Sequence, residues 1–230
     1  SGPNAPTEVI RIKDWVPGGV VSEIGWCGGS MVAYPFLLLQ KRYARPELAA
    51  YAVARLDRIA AGINPASGLF WDCQDGEVNH ARGWWTYLSP EAHYAYTNGH
   101  ACTYLLRASH LVEDHAETWV TAAQRVLDRV LGFQLENGQF PISYRLEDGQ
   151  PLRVEGFAGC WFAVALTHLY AITRERHYLD AAIRAAEGYH RDIVRLMPCA
   201  SPMDTHNAPD QEGNLALLHA AHMLHLLTAE

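Results

Sequence analysis

The sequence has no run of lysines or arginines, no CxxC pair and no apolar stretch of membrane-spanning length, and each absence removes a class of function. Without a basic stripe, and with a formal net charge of -7, the chain has no electrostatic footprint for a nucleic acid. Its longest apolar runs, such as Met31 to Leu39, fall short of the roughly 20 residues that a helical span needs. No basic segment followed by an apolar core opens the chain. A soluble protein of cytoplasmic location, without a membrane partner, is expected. The cysteines, Cys27, Cys73, Cys102, Cys160 and Cys199, are odd in number and scattered, which argues against a disulfide framework. Cys102 and Cys160 fall inside apolar helical patterns and read as small core residues. Strand pairs are missing too: Phe140 to Arg145 alternates, but it is short and contains Pro141, so it reads as an extended loop.

What is present is helical periodicity. The chain has 230 residues, 49% of them hydrophobic, enough to bury the core of a single domain over 1–230, with 1–23 as an irregular lead-in. Helical patterns run from Ser30 to Tyr43, Pro46 to Ala61, Pro90 to Leu111, Ala116 to Gln134, Gly156 to Thr173, Arg176 to Val194 and Gln211 to Thr228. They come in pairs: a Leu- or Ala-rich helix, a tight polar turn (Ala44-Arg45-Pro46, Glu113-Asp114-His115 or Thr173-Arg174-Glu175), then an amphipathic helix. The second helices end alike, Leu56-Asp57-Arg58-Ile59 recurring as Leu127-Asp128-Arg129-Val130 and, more loosely, as His190-Arg191-Asp192-Ile193. The unit is a helical hairpin repeating about every 65 to 70 residues. The predicted fold is all-α, of repeated hairpins.

The loops echo one another as well. Asn64-Pro65-Ala66-Ser67-Gly68-Leu69-Phe70 matches Leu135-Glu136-Asn137-Gly138-Gln139-Phe140-Pro141 in texture, and glycine before an aromatic suits a left-handed cap followed by an apolar contact. In its hairpins, in the Asn137-Gly138-Gln139-Phe140-Pro141 loop and in the acidic stretch Asp204 to Leu215 leading into the last helix, the chain resembles the six-hairpin glycosidase-like superfamily. That resemblance implies an (α/α) toroid and carbohydrate chemistry. Three hairpins and a final helix are fewer than six hairpins, so it implies a partial toroid, or part of a longer protein whose ring is completed by a missing domain or by self-association.

Glycoside hydrolysis needs two carboxyl groups across the scissile bond, and aromatic faces to stack on sugar rings. The stretch from Phe70 to His100 is unusually aromatic for a connector. Trp71, Trp84, Trp85, Tyr87, Glu91, His93, Tyr94 and His100 are candidates for substrate binding, with His206 from the last loop. Trp84, Trp85 and Tyr87 could equally plug the top of the helical core, and Glu91 could serve the dipole of a helix opened by Ser89 and Pro90. Candidate catalytic carboxylates are Asp72, Glu155 and Asp204. Asp204 ranks above Asp210 because Asp210 sits where a helix cap belongs. Arg145, with Arg82 and Arg153, could hold a carboxylated sugar through bidentate pairs, which leaves a uronide hydrolase or polysaccharide lyase open. No cofactor or metal is called for: His219, His222 and His225 recur along one helix, but no carboxylate completes a ligand set at their spacing.

Two other classes compete. Gly25-Trp26-Cys27-Gly28-Gly29 is similar to the zinc-ligand loop of lanthionine cyclases, though their adjacent Cys-His-Gly triplet is missing. Gln134 to Phe140 is similar to the triterpene cyclase repeat, without its Asp-rich motif. The non-enzymatic alternative is a helical scaffold that binds a glycan or protein in its concave face.

Overall fold

The computed structural model describes residues 23–25, 29–75, 78–80, 92–196 and 211–229, with 75, 78–80, 196 and 211 by backbone alone. Seven helices lie among them: α1 (Ser30–Tyr43), α2 (Pro46–Ala61), α3 (Ala95–Ser109), α4 (Glu113–Leu131), α5 (Cys160–Thr173), α6 (Arg176–Leu196) and α7 (Gln211–Thr228). The expected pairs α1/α2, α3/α4 and α5/α6 are hairpins, and α7 packs on α5 and α6. α1, α3, α5 and α7 follow one another as an inner layer, and α2, α4 and α6 form the outer one.

Helix chemistry explains the layering. In α3 nearly every residue is buried, and in α5 every one from Cys160 to Leu169, because each has inner neighbours on two sides and an outer helix behind. α4 buries a single stripe, Trp119, Ala122, Ala123, Val126, Leu127 and Val130, spaced three and four apart. α3 and α5 cross closely at Gly99, where an added Cβ would stand 2.6 Å from the Cβ of Trp161 on α5. Two of the hairpin turns close with a left-handed residue that is not glycine, Ala44 at φ 50 and Arg174 at φ 62.

The Asp-Arg echo at the ends of the outer helices is a set of stitches. Asp57 on α2 accepts from Trp119 Nε1 of α4 at 2.8 Å and from His115 Nδ1 at 2.9 Å. Asp128 on α4 accepts from the hydroxyl of Tyr178 on α6 at 2.7 Å. Arg129 donates to the Ser67 carbonyl at 3.2 Å and Arg191 to the Asn137 carbonyl at 2.8 Å, so each holds the loop of the hairpin before it. Inside those loops Gly68 and Gly138 take the expected left-handed conformation, at φ +79 and +90.

Strands are the main correction. β1 (Cys73–Asp75) pairs with β2 (Val78–His80), and β3 (Ala92–Tyr94), β4 (Ser143–Arg145) and β5 (Pro151–Arg153) form an antiparallel sheet in that order. Each has three residues, too short for alternation to be legible, and β3 meets β4 from a distant part of the chain. The helix expected from Pro90 begins at Ala95 instead, because Ala92 to Tyr94 is committed to the sheet. α4 begins at Glu113, so the second turn is His110 to Val112, and α5 begins at Cys160 rather than Gly156. Cys73, Cys102 and Cys160 are buried. Among the described residues no helix is long and apolar enough to cross a membrane.

Candidate functional site

The sequence-derived candidates divide into three groups. The first is a sealed polar knot. Asp72 follows the Phe70 turn, where the Phe70 amide donates to Asn98 Oδ1 at 2.8 Å, and this drives the carboxylate under the start of α3. Its Oδ2 accepts from His93 Nδ1 at 2.8 Å, and its Oδ1 from the Tyr94 amide at 2.9 Å and Asn98 Nδ2 at 3.3 Å. The other ring nitrogen of His93 lies 2.8 Å from Ser67 Oγ. With Nδ1–H donated to the carboxylate, Nε2 accepts the serine proton. Ser, His and Asp thus line up as in a hydrolase relay. Yet Ser67, His93 and Asp72 are 1%, 0% and 0% exposed, and Ser67 also accepts from the Leu69 amide. No substrate atom reaches this chain of groups. Burial raises the Asp72 pKa, opposed by the hydrogen bonds from His93 and Tyr94. The structure corrects the expectation for Asp72, His93 and buried Tyr94: they join the first loop, β3 and α3, and offer no surface to a ligand.

The second group is peripheral. Arg145 forms a bidentate exposed pair with Asp148, at 3.1 and 2.6 Å, in the β4–β5 hairpin. Glu155 is exposed just after β5. Trp71 is half-buried, its ring 5.5 Å from that of His93. Trp84, Trp85, Tyr87, Glu91, Asp204, Asp210, His206 and Arg82, with the lead-in 1–22, lie outside the described residues.

The third group lies along the inner helices and was largely missed. Tyr96, in the first turn of α3, is hydrogen-bonded to Glu212 in the first turn of α7. Its phenol is pushed above its ordinary range by burial, then by the charges of Glu212 and Glu23. Glu23 is buried, with one oxygen accepting the Gly25 amide at 2.9 Å. Two carboxylates therefore converge on one phenol where α3 and α7 begin. Beside Tyr96, at 4.3 Å between ring centroids, is His100; Trp161 of α5 lies 3.9 Å beyond, edge-on.

Further along the same helices, His168 of α5 and His219 of α7 face each other with Nε2 to Nε2 at 3.3 Å. At that distance one ring donates and the other accepts, so at least one of the two is a neutral imidazole. Burial holds His100 and His168 down at about 3 and His219 at about 4. His219 also lowers the first two, while Arg107 and His222 lower His219. His219 is half-buried. Neither ring nitrogen of His100, nor Nε1 of Trp161, has a hydrogen-bond partner among the described residues. Buried donors and acceptors left unpaired are uncommon, because each costs about 1 to 3 kcal/mol.

The sequence signal for this wall is the recurrence of His219, His222 and His225 along one helix, but its partner His168, on another helix, cannot be inferred from spacing. Among the described residues no group of three or more His, Cys, Asp or Glu is placed to hold a metal ion.

No family model matches the sequence, and no curated protein does. Solved structures do match in fold. A possible member of the GH105 family from Salmonella enterica subsp. enterica serovar Paratyphi A str. ATCC 9150 superposes with TM-score 0.67 at 17% identity, covering 87% of this chain and 55% of that one. Cellobiose 2-epimerase from Spirochaeta thermophila DSM 6192 gives TM-score 0.65 at 12% identity, with coverage of 87% and 53%. An unsaturated glucuronyl hydrolase specific for heparin gives 0.56 at 12%, with 84% and 53%. These neighbours are carbohydrate-active enzymes, and the chain spans little more than half their length. The chain shares the repeated α-hairpin toroid fold of these structures, in partial form.

Proposed function

We propose that the chain is a carbohydrate-active enzyme of glycoside hydrolase type that works where the inner helices begin. The observation that carries this reading is the convergence of Glu212 and Glu23 on Tyr96, beside a wall of Trp161, His100 and His219. A partly buried carboxyl group at the head of an inner helix, held by a phenol, can give or take a proton at a glycosidic oxygen. In this reading Glu212 transfers the proton. Asp204, which precedes it in sequence, or Glu155, which precedes α5, supplies the carboxylate on the other side of the bond. Trp84, Trp85, Tyr87, Glu91 and His206 remain candidates for sugar contacts.

Neutral sugars fit better than uronides. The wall histidines stay uncharged at neutral pH, and Arg145 already has a carboxylate in Asp148. His219, half-buried where His100 and His168 are buried, both donates and accepts as a neutral imidazole, which matches a sugar hydroxyl.

The test is turnover on a panel of neutral and uronic oligosaccharides by wild type, Glu212→Gln, Asp204→Asn and Glu155→Gln. Glu212→Gln should lose about 10²- to 10⁴-fold in rate, and one of the other two should fall comparably. Full activity in all three variants would sink the reading. Sugar binding without turnover in wild type would leave a glycan-binding scaffold.

A further inference from the structure

The histidine pair between α5 and α7 has a geometry that a straight hydrogen bond does not produce. His168 Nε2 and His219 Nε2 are 3.3 Å apart, and their ring centres 5.3 Å apart, with the planes at 81°. A straight N–H···N contact of that length sets the centres about 5.6 Å apart, so the shorter separation bends each ring off the line between the nitrogens by about 30°. Two imidazoles that share one tetrahedral ion at about 2.0 to 2.1 Å are bent by a similar angle, about 35°, with nitrogens about 3.3 to 3.4 Å and centres about 5.1 to 5.3 Å apart. Both observed distances meet those values.

The chemistry of the pair agrees with its geometry. Imidazole must be neutral to bind a metal, and burial, first among the causes, holds His168 down to about 3 and His219 to about 4. The other groups that act on the pair are Arg107, His110 and His222, and His219 in turn acts on His100. Arg107 opposes any cation here, although its guanidinium lies over the rings of Tyr34 and Tyr104, at 4.3 and 5.3 Å. No third His, Cys, Asp or Glu joins the two among the described residues, so these residues supply two of an ion's positions, both nitrogen. Such donors favour zinc, copper or nickel over magnesium or calcium, which take oxygen ligands.

We propose that His168 and His219 bind one imidazole-preferring divalent metal ion, of the zinc class, between their Nε2 atoms. Both rings then ligate through Nε2 and carry their protons on Nδ1, so the ion replaces the proton that the two nitrogens now share. The pair is not sealed, since His219 is half-buried. Neither Glu212 nor Tyr96 takes part, so the ion binds whether or not the glycosidase reading holds.

Zinc(II) and cobalt(II), titrated into the intact chain with no added histidines, are the probes. Calorimetry at pH 7 should show one zinc ion per chain, and cobalt should develop the strong visible absorption of a tetrahedral complex. His219→Gln should weaken binding about ten-fold or more, at least the loss that follows removal of an outer-shell partner, and its metal-free melt checks that it is folded. His222 and His225 are exposed on the same helix, and the double variant His222→Gln, His225→Gln should bind as wild type does. A pH series needs no variant: a site of ordinary histidines loses affinity as its rings protonate near 6.5, whereas this pair should keep its affinity down to about pH 5.5. Absence of saturable binding, equal binding by His219→Gln, or a loss of affinity by pH 5.5 would overturn the proposal. So would loss of binding in the double variant, which would move the ion to the exposed face of α7.

Discussion

Two polar clusters sit within α3 and the residues just before it, and they differ in one respect. Around Asp72 and His93 every polar side-chain atom has a partner within the protein. Around His100 and Trp161 three buried nitrogens have none among the described residues. Residue types alone make the first look more like chemistry, since it aligns a serine, a histidine and an aspartate. Pairing reverses the ranking: a saturated network contributes rigidity and specificity, whereas unpaired buried groups beside two carboxylates are what a ligand or proton transfer would use.

The strongest way to break that comparison is Asp72→Ala. Removing one partner of a buried, hydrogen-bonded pair should cost roughly 3 to 5 kcal/mol, read as a large fall in the urea midpoint at unchanged slope. Glu212→Gln should leave that midpoint nearly unmoved while stopping turnover. If Asp72→Ala melted like wild type and only turnover fell, the roles of the two clusters would be exchanged.

Acid separates them next. His100, His168 and His219 are held down from 6.5 to about 3, 3 and 4. Below about pH 6.5 the unfolded chain takes up protons that the folded chain refuses. Their contribution to stability is complete above pH 6.5 and is lost as the pH falls toward 4 and then 3. Asp72, raised by burial, works in the opposite sense, since its cost is relieved as the pH falls. Melting temperatures from pH 7 to 4 should drop for wild type and drop less for His168→Leu, which removes one refused proton. An equal drop in both would show that the wall does not control acid stability.

How far the sequence reveals this follows from the range of each interaction. Hairpins were legible because helical periodicity is local, and α1, α2 and α7 begin and end where the pattern places them. The Asp-Arg echo was legible as a repeat, but its partners Trp119, Tyr178, Ser67 and Asn137 belong to other hairpins. The strands were lost because three residues carry no period and β3 pairs with β4 across α3 and α4. The site suffered most: Asp72 stood out in an aromatic loop, but burial is a property of packing, and Glu212 looked like an ordinary first-turn acid until Tyr96 came across from α3.

A smaller effect sharpens the same contrast at the loops. Gly138 has φ +90, and a Cβ there would stand 2.1 Å from the Arg184 carbonyl oxygen. Gly68, its echo, has φ +79 and would meet only the Arg129 side chain, at 3.4 Å. Both pay the left-handed cost of roughly 1 to 2 kcal/mol on replacement by Ala, but only Gly138→Ala forces backbone apart. It should lower the melting temperature clearly more than Gly68→Ala, and equal shifts would mean that α6 yields without strain.

The smallest expected effect has the opposite sign. Ala44 closes the α1–α2 turn at φ 50 and ψ 50, exposed, with its amide donating to the Gln40 carbonyl. A left-handed alanine carries strain that glycine does not, while glycine gives the unfolded chain more freedom to lose. The first term is about 1 to 2 kcal/mol and the second about 0.4 to 1 kcal/mol, so Ala44→Gly should stabilise by a few tenths to about 1 kcal/mol. Arg174, at φ 62 in the equivalent turn of α5 and α6, has its guanidinium 6.0 Å over the Tyr170 ring. Arg174→Gly gives up that contact and should gain less. A gain at Ala44 that exceeds the gain at Arg174, measured by denaturant midpoint, would show that backbone strain sets the sign in these turns and that side-chain packing sets the size.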